Sequence, residues 1–349
     1  MNLFQKYLVE EFAEDYQEGH LSRREALKMI GAITGSLFAA NAILAACAPP
    51  PGTAAAPAAS ATSAPSPTQA PTDASAATDT VATDAVATDT ASPPTEAPTD
   101  ASATQPASTV PQGTVSPDDP AVKAGDVQFP GEGTTLLGYL AQPAMDGSFP
   151  VVLVCHENRG LTEHIKDVTR RVAKAGYVGL AVDLLSRQGG VAAFSSDEVP
   201  GALGNTPPEQ FVQDFISGWH YLQGQPFAQA DKVGMVGFCF GGGVTWQVAV
   251  GMPELLAAVP FYGPAPDVGD VPKIQAAVLA IYGEQDERIN ASIPAIEEAM
   301  KQNNKTYEKV IYPNAGHAFH NDTGQRYNPE AAQDAWQRTI EWFRKYLNT

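Results

Sequence analysis

The sequence predicts an α/β protein with a mostly parallel central sheet that is covered by helices on both faces. Short apolar runs bounded by turn residues, such as 151–155 and 178–182, are typical of buried strands. Segments with helical spacing, such as 162–175 and 209–222, alternate with these runs along the chain. Strands that alternate with helices form parallel sheets, because each crossover helix returns the chain to the same end of the sheet.

Each element follows from its own pattern. Apolar, β-branched runs predict strands at 134–141, 151–155, 178–182, 233–236, 257–261, 277–282 and 307–312. Apolar residues three and four positions apart predict helices at 162–175, 209–222, 240–250, 292–301 and 329–347. Parallel sheets present their functional sites at the carboxyl ends of the strands, so the residues that follow each strand are the first candidates for a site.

Composition divides the chain into three parts. Residues 48–120 are rich in Ala, Pro, Thr, Ser and Asp and have few large apolar side chains, which predicts a disordered linker. Residues 121–349 are long enough to form one folded catalytic domain. The formal net charge of −18 argues against a nucleic-acid partner, because no basic stripe is available to neutralise phosphates.

Residues 1–47 resemble a twin-arginine-type lipoprotein signal. Arg23 and Arg24 precede a stretch that carries no charge for 18 residues after Lys28, and Leu44-Ala-Ala-Cys47 resembles a lipobox. We therefore expect export, lipidation at Cys47 and anchoring at the outer face of the cytoplasmic membrane or cell envelope. An uncleaved membrane helix is the alternative. The acidic stretch 10–18 is unusual for such a signal.

The strongest candidate for a nucleophile is Cys239. It lies between a short apolar run, 233–236, and a Gly-rich segment that opens a helix, so it occupies a sharp strand-to-helix turn. Gly237 and Gly241 leave room for that turn, and the helix N-terminus favours a thiolate or an oxyanion. The alternative is a buried structural cysteine, since free cysteines are often core residues.

Two further residues at predicted strand ends complete a catalytic triad. Asp286 follows the 277–282 strand, and His317 follows the 307–312 strand. The chain order Cys239, Asp286, His317 is the nucleophile, acid, histidine order of α/β-hydrolases. We expect His317 to accept the thiol proton and Asp286 to orient its ring. Taken singly, Asp286 is equally consistent with a loop cap and His317 with a surface histidine.

The end of the 151–155 strand adds more candidates. Glu157 follows a buried run, and a carboxylate there is expensive unless it is solvated or paired, so we expect a perturbed acid near the thiol. The backbone N–H groups of Asn158 and Phe240 are the expected oxyanion hole. Cys155 lies inside the strand and is interpreted as core. An exposed loop glutamate is the alternative reading of Glu157.

Residues 126–347 resemble the dienelactone hydrolase family. The matching motifs are His156-Glu157 with Gly160-Leu161, Gly237-Phe-Cys239-Phe-Gly-Gly, Asp286, and Gly316-His317-Ala-Phe319. The resemblance implies the α/β-hydrolase fold and hydrolysis of a lactone or small ester through a thioester acyl-enzyme. It also implies that Cys239, Asp286 and His317 form the triad, that Glu157 assists thiolate formation, and that Arg187 holds a substrate carboxylate.

The chain departs from this family at its expected anion site. Asn321 stands near the position where well-known members carry a second arginine after the catalytic histidine, so Arg159 or Arg187 is the expected anion-binding residue. We expect a monomer that needs no cofactor and no metal. His156, His317 and His320 are conceivable metal ligands, but they lack a carboxylate at helical spacing or a cysteine pair. The rival functions are a general carboxylesterase or thioesterase, and a non-catalytic envelope solute-binding protein.

Overall fold

The computed structural model describes residues 1–46 and 113–347. Its helices are α1 (Leu3–Gln17), α2 (Arg23–Thr34), α3 (Leu37–Ala46), α4 (Glu163–Lys174), α5 (Val199–Gly204), α6 (Pro208–Gln223), α7 (Phe240–Gly251), α8 (Glu287–Asn290), α9 (Ile293–Gln302) and α10 (Pro329–Leu347). Its strands are β1 (Val122–Gly131), β2 (Thr134–Pro143), β3 (Phe149–Cys155), β4 (Val178–Val182), β5 (Ala228–Phe238), β6 (Ala257–Phe261), β7 (Ala277–Gly283) and β8 (Tyr307–Tyr312). The predicted linker 48–120 lies mainly outside the described residues, as does Cys47.

The strands form one sheet in the order β1-β2-β4-β3-β5-β6-β7-β8. The pairs β1–β2 and β2–β4 are antiparallel, and every pair from β4 to β8 is parallel. The predicted α/β class with a mostly parallel sheet is therefore confirmed.

Helices cover both faces of this sheet. Gly179 of β4 packs against Thr169 of α4, and Gly234 of β5 packs against Phe343 of α10. Both glycines register with Val152 of β3, so α4 and α10 lie on one face. Leu180, the next residue of β4, points the other way and contacts Gly218 of α6. Because both faces are buried, the central strands are continuously apolar instead of alternating.

The sequence patterns missed β1. This strand contains Asp126, Gln128 and Pro130 and pairs only with β2, so most of its side chains remain partly exposed. An edge strand of this kind lacks the apolar run that identifies the central strands, and Pro is tolerated there because an edge N–H needs no partner.

Helices α1 to α3 belong to the same compact unit as the sheet. Capping boxes at Asn2 and Ser22 start α1 and α2, which satisfies their first backbone N–H groups. Phe4, Leu8 and Phe12 of α1 are fully buried. The Phe4 ring lies 5.5 Å from that of Phe211 in α6 and 4.6 Å from that of Phe240 in α7.

This packing adds a structural role to a segment from which only targeting was expected. The apolar stretch after Lys28 is divided between α2 and α3, with Gly35 in a left-handed conformation at the break. Within the described residues, no helix combines the length and apolar character required to cross a membrane. The targeting role itself stays a prediction.

Candidate active site

Cys239 occupies a strained turn between β5 and α7. Its φ of 59° and ψ of −121° are rare for a residue with a side chain. The N–H groups of Gly242 and Gly243 donate to its carbonyl oxygen, and its own N–H donates to the Phe261 carbonyl at 3.1 Å. Hydrogen bonds of both the N–H and the carbonyl group of Cys239 therefore stabilise this turn.

Two glycines make this turn possible. A Cβ at Gly237 would lie 2.2 Å from the Gly241 carbonyl oxygen. A Cβ at Gly241 would lie 2.4 Å from the His156 carbonyl oxygen. Both contacts are with backbone, which cannot rotate away, so the close approach of β3, β5 and α7 requires glycine at both positions.

His317 and Asp286 meet at the neighbouring strand ends. His317 Nδ1 lies 2.7 Å from Asp286 Oδ2, and both side chains are almost completely buried. Burial alone would raise the pKa of Asp286, but the adjacent His317 holds it below its ordinary value. Burial alone would lower the pKa of His317, but Asp286 and Glu11 raise it well above the ordinary value. Asp286 therefore stabilises the protonated form of the ring.

Helix α1 inserts two polar side chains beside this pair. The Tyr7 hydroxyl lies 3.2 Å from Cys239 Sγ and 3.3 Å from His317 Nε2. The Glu11 carboxylate accepts a hydrogen bond from the Cys239 thiol, with its two oxygens 3.5 and 3.7 Å from the sulfur. Tyr7 therefore contacts both the thiol and the imidazole, whose Sγ and ring nitrogen lie within 4.8 Å of each other.

Two side chains from the strand ends of the sheet stabilise the negative charge of Glu11. Asn158 Nδ2 donates to Glu11 Oε1 at 3.0 Å, and Arg288 Nη2 lies 3.8 Å from Oε2. Burial by itself raises the pKa of Glu11, but His317 and Arg288 more than offset this and the pKa lies below its usual value. Burial raises the pKa of the Cys239 thiol, and the Glu11 charge raises it further. The sulfur is therefore a thiol in this arrangement.

Glu157 lies at the same strand end but has a different partner from the one expected. Its Oε2 accepts a hydrogen bond from Asn321 Nδ2 at 2.7 Å. Burial raises the pKa of Glu157, and the Asn321 hydrogen bond opposes that shift only in part. Asn321, which stands where an arginine was expected, thus serves as the neutral partner of a buried carboxyl group.

Of the expected oxyanion donors, Phe240 follows Cys239 in the chain and Asn158 lines the same cavity as Cys239. Phe240 is the first residue of α7, so its N–H precedes the first intrahelical hydrogen bonds and is available to a ligand. Asn158 is buried directly after Glu157. Cys155 is fully buried in β3, as its interpretation as core requires.

The two arginines expected to bind anions have different positions. Arg159 lines the cavity of about 240 Å³ that reaches Cys239. Arg187 does not: its Nη2 donates to the buried Asp214 at 2.7 Å and its Nη1 to the Glu132 carbonyl at 2.7 Å. The expectation for Arg187 is therefore corrected, because this guanidinium neutralises an internal carboxylate.

Sequence reasoning missed three residues of this site: Tyr7, Glu11 and Arg326. Arg326 lines the same cavity and donates to Asp15 Oδ1 at 3.0 Å. The one available signal was the acidic stretch 10–18, which is atypical of an export signal; Glu11 and Asp15 are the members that line the cavity.

The side chains of His156, His317 and His320 have separate partners in the structure. His156 Nδ1 donates to the Glu157 carbonyl at 2.7 Å and its Nε2 accepts from the Leu184 N–H, so its ring is fully engaged. His320 packs on Phe238, and burial lowers its pKa to about 3. Within the described ranges, the buried set with metal-ligand spacing is Glu11, Cys239 and His317, whose ligand atoms lie within 4.8 Å of one another.

This geometry agrees with what the chain is similar to. Residues 136–347 match the model of the dienelactone hydrolase family. A protein of Methylorubrum extorquens with the name "Putative carboxymethylenebutenolidase" is 38% identical over 248 residues, which are 67% of this chain and 84% of that protein.

Solved structures give the same result. The "Putative Dienelactone Hydrolase" of Klebsiella pneumoniae is 33% identical with a TM-score of 0.61, over 65% of this chain and all of that one. The dienelactone hydrolase of Anabaena variabilis is 25% identical with a TM-score of 0.53, over 65% of this chain and 99% of that one. The protein is therefore a hydrolase with the α/β-hydrolase fold, and it belongs to the dienelactone hydrolase family.

Proposed function

We propose that the protein hydrolyses lactones or small carboxylic esters through a Cys239–His317–Asp286 triad and a thioester acyl-enzyme. The observation that carries this proposal is the placement of the Cys239 turn beside the buried His317–Asp286 pair, which lies at 2.7 Å. No other chemistry is required of the protein: a nucleophile, a base and two backbone donors suffice for acyl transfer.

The first step is ionisation of the nucleophile. The Cys239 thiol gives its proton to neutral His317, either directly or through the Tyr7 hydroxyl that lies between them. Asp286 stabilises the imidazolium that forms. Burial disfavours the isolated thiolate, so the ion pair with His317 is the form in which the sulfur can react.

Acylation then follows. The thiolate attacks the carbonyl carbon, a C–S bond forms, and the carbonyl oxygen becomes an oxyanion held by the N–H groups of Phe240 and Asn158. The tetrahedral intermediate collapses with cleavage of the C–O bond, and His317 donates its proton to the leaving alkoxide. A lactone yields a ring-opened thioester whose hydroxyl group remains on the same molecule.

Deacylation restores the thiol. His317 accepts a proton from water, the resulting hydroxide adds to the thioester carbon, and the C–S bond breaks to release a carboxylic acid. The Cys239 sulfur leaves as a thiolate and takes the proton back from His317. The net reaction consumes one water for each ester bond.

A panel of lactones and aryl esters tests this function with the full chain. Cys239→Ala is expected to abolish hydrolysis. Cys239→Ser is expected to retain little activity, because a serine hydroxyl is far less nucleophilic than a thiolate at neutral pH. An acyl adduct on the peptide containing Cys239, seen by mass spectrometry after quenching with a slow ester, would identify the intermediate. Hydrolysis that survives Cys239→Ala would refute the proposal.

We also propose that the protein is exported by the twin-arginine route and anchored by a lipid on Cys47. The support is the pair Arg23 and Arg24, the uncharged stretch that follows, and the lipobox-like Leu44-Ala-Ala-Cys47. Metabolic labelling with a palmitate analogue tests it: label on the wild type but not on Cys47→Ser is expected. Unlabelled protein that stays in the cytosolic fraction would exclude it, and Arg23→Lys with Arg24→Lys provides the control for the export step.

A further inference from the structure

Helix α1 lies outside the part of the chain that matches the family model, which begins at residue 136, and yet it reaches the nucleophile. Glu11 is 3% exposed, and its carboxylate is the acceptor for the Cys239 thiol. A buried carboxylate is expensive unless it is paired, and this one is paired by Arg288 and Asn158 of the catalytic domain. These two partners position the Glu11 carboxylate specifically beside the sulfur.

The anchoring of α1 fixes the position of this carboxylate. Arg288 Nε donates to Glu14 Oε2 at 2.8 Å, and its guanidinium lies 4.8 Å above the Tyr7 ring. Arg326 Nη1 donates a hydrogen bond to Asp15 Oδ1, and Asp15 lies one helical turn after Glu11. Arg288 of α8 and Arg326, which lies between β8 and α10, thus set the register of α1 over the cavity.

Every charged or titratable group around the sulfur bears on its ionisation. Tyr7 and Glu11 face it from α1, and the groups from the other elements are Cys155 and Glu157 at the end of β3, Tyr262 after β6, Asp286 and Arg288 after β7, and His317 and Arg326 after β8. Among the carboxylates, Glu11 is the one in contact with the sulfur. Asp286 is turned to His317 Nδ1, and Glu157 to Asn321.

We propose that Glu11 is a specificity-determining residue of the hydrolase and that Tyr7 is a positioning residue. The Glu11 carboxylate holds Cys239 in its thiol form and repels acyl groups that carry a negative charge, so the site accepts neutral or cationic esters. The Tyr7 hydroxyl fixes the separation between the sulfur and the His317 ring.

Selection by substrate charge follows from the charged groups that line the cavity. The cavity of about 240 Å³ beside Cys239 is lined by the carboxyl groups of Glu11, Asp15 and Glu157 as well as by Arg159 and Arg326. Arg326 is already paired with Asp15. Of the carboxyl groups that line this cavity, Glu11 is the one hydrogen-bonded to the Cys239 sulfur, so a negatively charged acyl group on that sulfur would meet like charge.

The proposal rests on Cys239 being the nucleophile, and it bears on export. Cleavage before Cys47 would remove α1 together with Glu11 and Tyr7. Precursor and processed protein would then differ in the reactivity of Cys239 and in charge selectivity, although residues 121–349 are the same in both.

The experiment measures alkylation of Cys239 against pH in the full chain. Iodoacetamide is uncharged, and mass spectrometry of the Cys239 peptide separates its signal from those of Cys47 and Cys155. We expect Glu11→Gln, which keeps the shape and the hydrogen bond to Asn158, to shift the apparent pKa of alkylation down by about 1 to 3 units, as loss of a contacting like charge does. Glu10→Gln removes the same charge from the exposed face of the same helix, where Glu10 lies 3.8 Å from Lys6 Nζ, and we expect it to leave the alkylation profile unchanged.

Ester selectivity gives the second readout. The ratio of kcat/KM for 4-nitrophenyl hydrogen succinate to that for 4-nitrophenyl acetate is expected to rise about tenfold in Glu11→Gln and to stay the same in Glu10→Gln. Tyr7→Phe is expected to lower kcat while leaving this ratio unchanged. Identical profiles and ratios for wild type and Glu11→Gln would overturn the inference, while loss of hydrolysis in Cys239→Ala would show that the proposed function still holds.

Discussion

Replacement of Asp286 by Asn tests the central pair of the site. Asn keeps the size of the side chain and an oxygen that can accept from the Ile289 N–H, which Asp286 does at 3.4 Å. It removes the charge that lies 2.7 Å from His317 Nδ1. The substitution therefore changes the electrostatics of the site and leaves the cap of α8 in place.

The magnitude follows from the burial of the pair. Both side chains are at most 5% exposed, so water cannot replace the lost partner. Loss of one partner of a buried charge pair costs about 3–5 kcal/mol, and the Glu11 charge 3.8 Å from Nε2 recovers part of it. At about 1.4 kcal/mol for each tenfold, a loss confined to the transition state lowers kcat by about 10²- to 10⁴-fold.

Stability changes with pH in a defined direction. Because Asp286 raises the pKa of His317 in the folded state, the imidazolium contributes stability that is fully present below the unfolded value of about 6.5 and is lost as pH rises through the raised folded value. Asp286→Asn should flatten this part of the profile. The assay is Tm against pH together with steady-state kinetics; Asp270→Asn, at an exposed carboxylate paired with Lys273, is the control. A folded Asp286→Asn protein with kcat within threefold of wild type would refute the reasoning.

Three further predictions follow from other contacts. Arg187→Gln should lower the free energy of unfolding by about 3 kcal/mol, because it leaves the fully buried Asp214 without its charged partner, and it should not change ester selectivity. Denaturant unfolding and the two nitrophenyl esters measure these effects, and a change in selectivity alone would contradict the structural role. Gly237→Ala should destabilise the fold by about 3 kcal/mol or prevent folding, because the added Cβ meets the Gly241 carbonyl at 2.2 Å; a wild-type Tm would show that the turn can relax. Asn321→Ala should raise the pKa of Glu157 further, because it removes a hydrogen bond to the carboxylate. A raised pKa in the folded state means that stability falls as pH rises above the unfolded pKa, so the loss in Tm relative to wild type should be larger at pH 7 than at pH 4. Equal losses at both pH values would exclude this role.

The central sheet could be predicted because its strands obey a local rule. β4 and β6 have the predicted bounds, since a strand buried on both faces is apolar throughout. β8 also has its predicted bounds, although it is an edge strand, because its aromatic and β-branched residues mark it as a strand. β1 could not be predicted, because an edge strand with one neighbour is stabilised by that neighbour and tolerates polar residues.

In the candidate site, too, some positions could be predicted from the sequence and others could not. Cys239, Asp286 and His317 follow strands in sequence, and parallel strands bring their carboxyl ends together, so their proximity is a consequence of topology. Arg187 also follows a strand, but its direction depends on the buried Asp214 in α6, which no local pattern identifies as a partner.

Sequence alone determined the fold class and the strand ends at which Cys239, Asp286 and His317 lie. Only the tertiary structure decided that α1 lies over the nucleophile, that Glu11 contacts the sulfur and that Arg326 lines the cavity. The physical reason is that strands and turns are encoded by neighbours in sequence, whereas the contact between Glu11 and Cys239 joins residues 228 positions apart. It depends on tertiary packing of α1, such as that of Phe4 against Phe211 and Phe240.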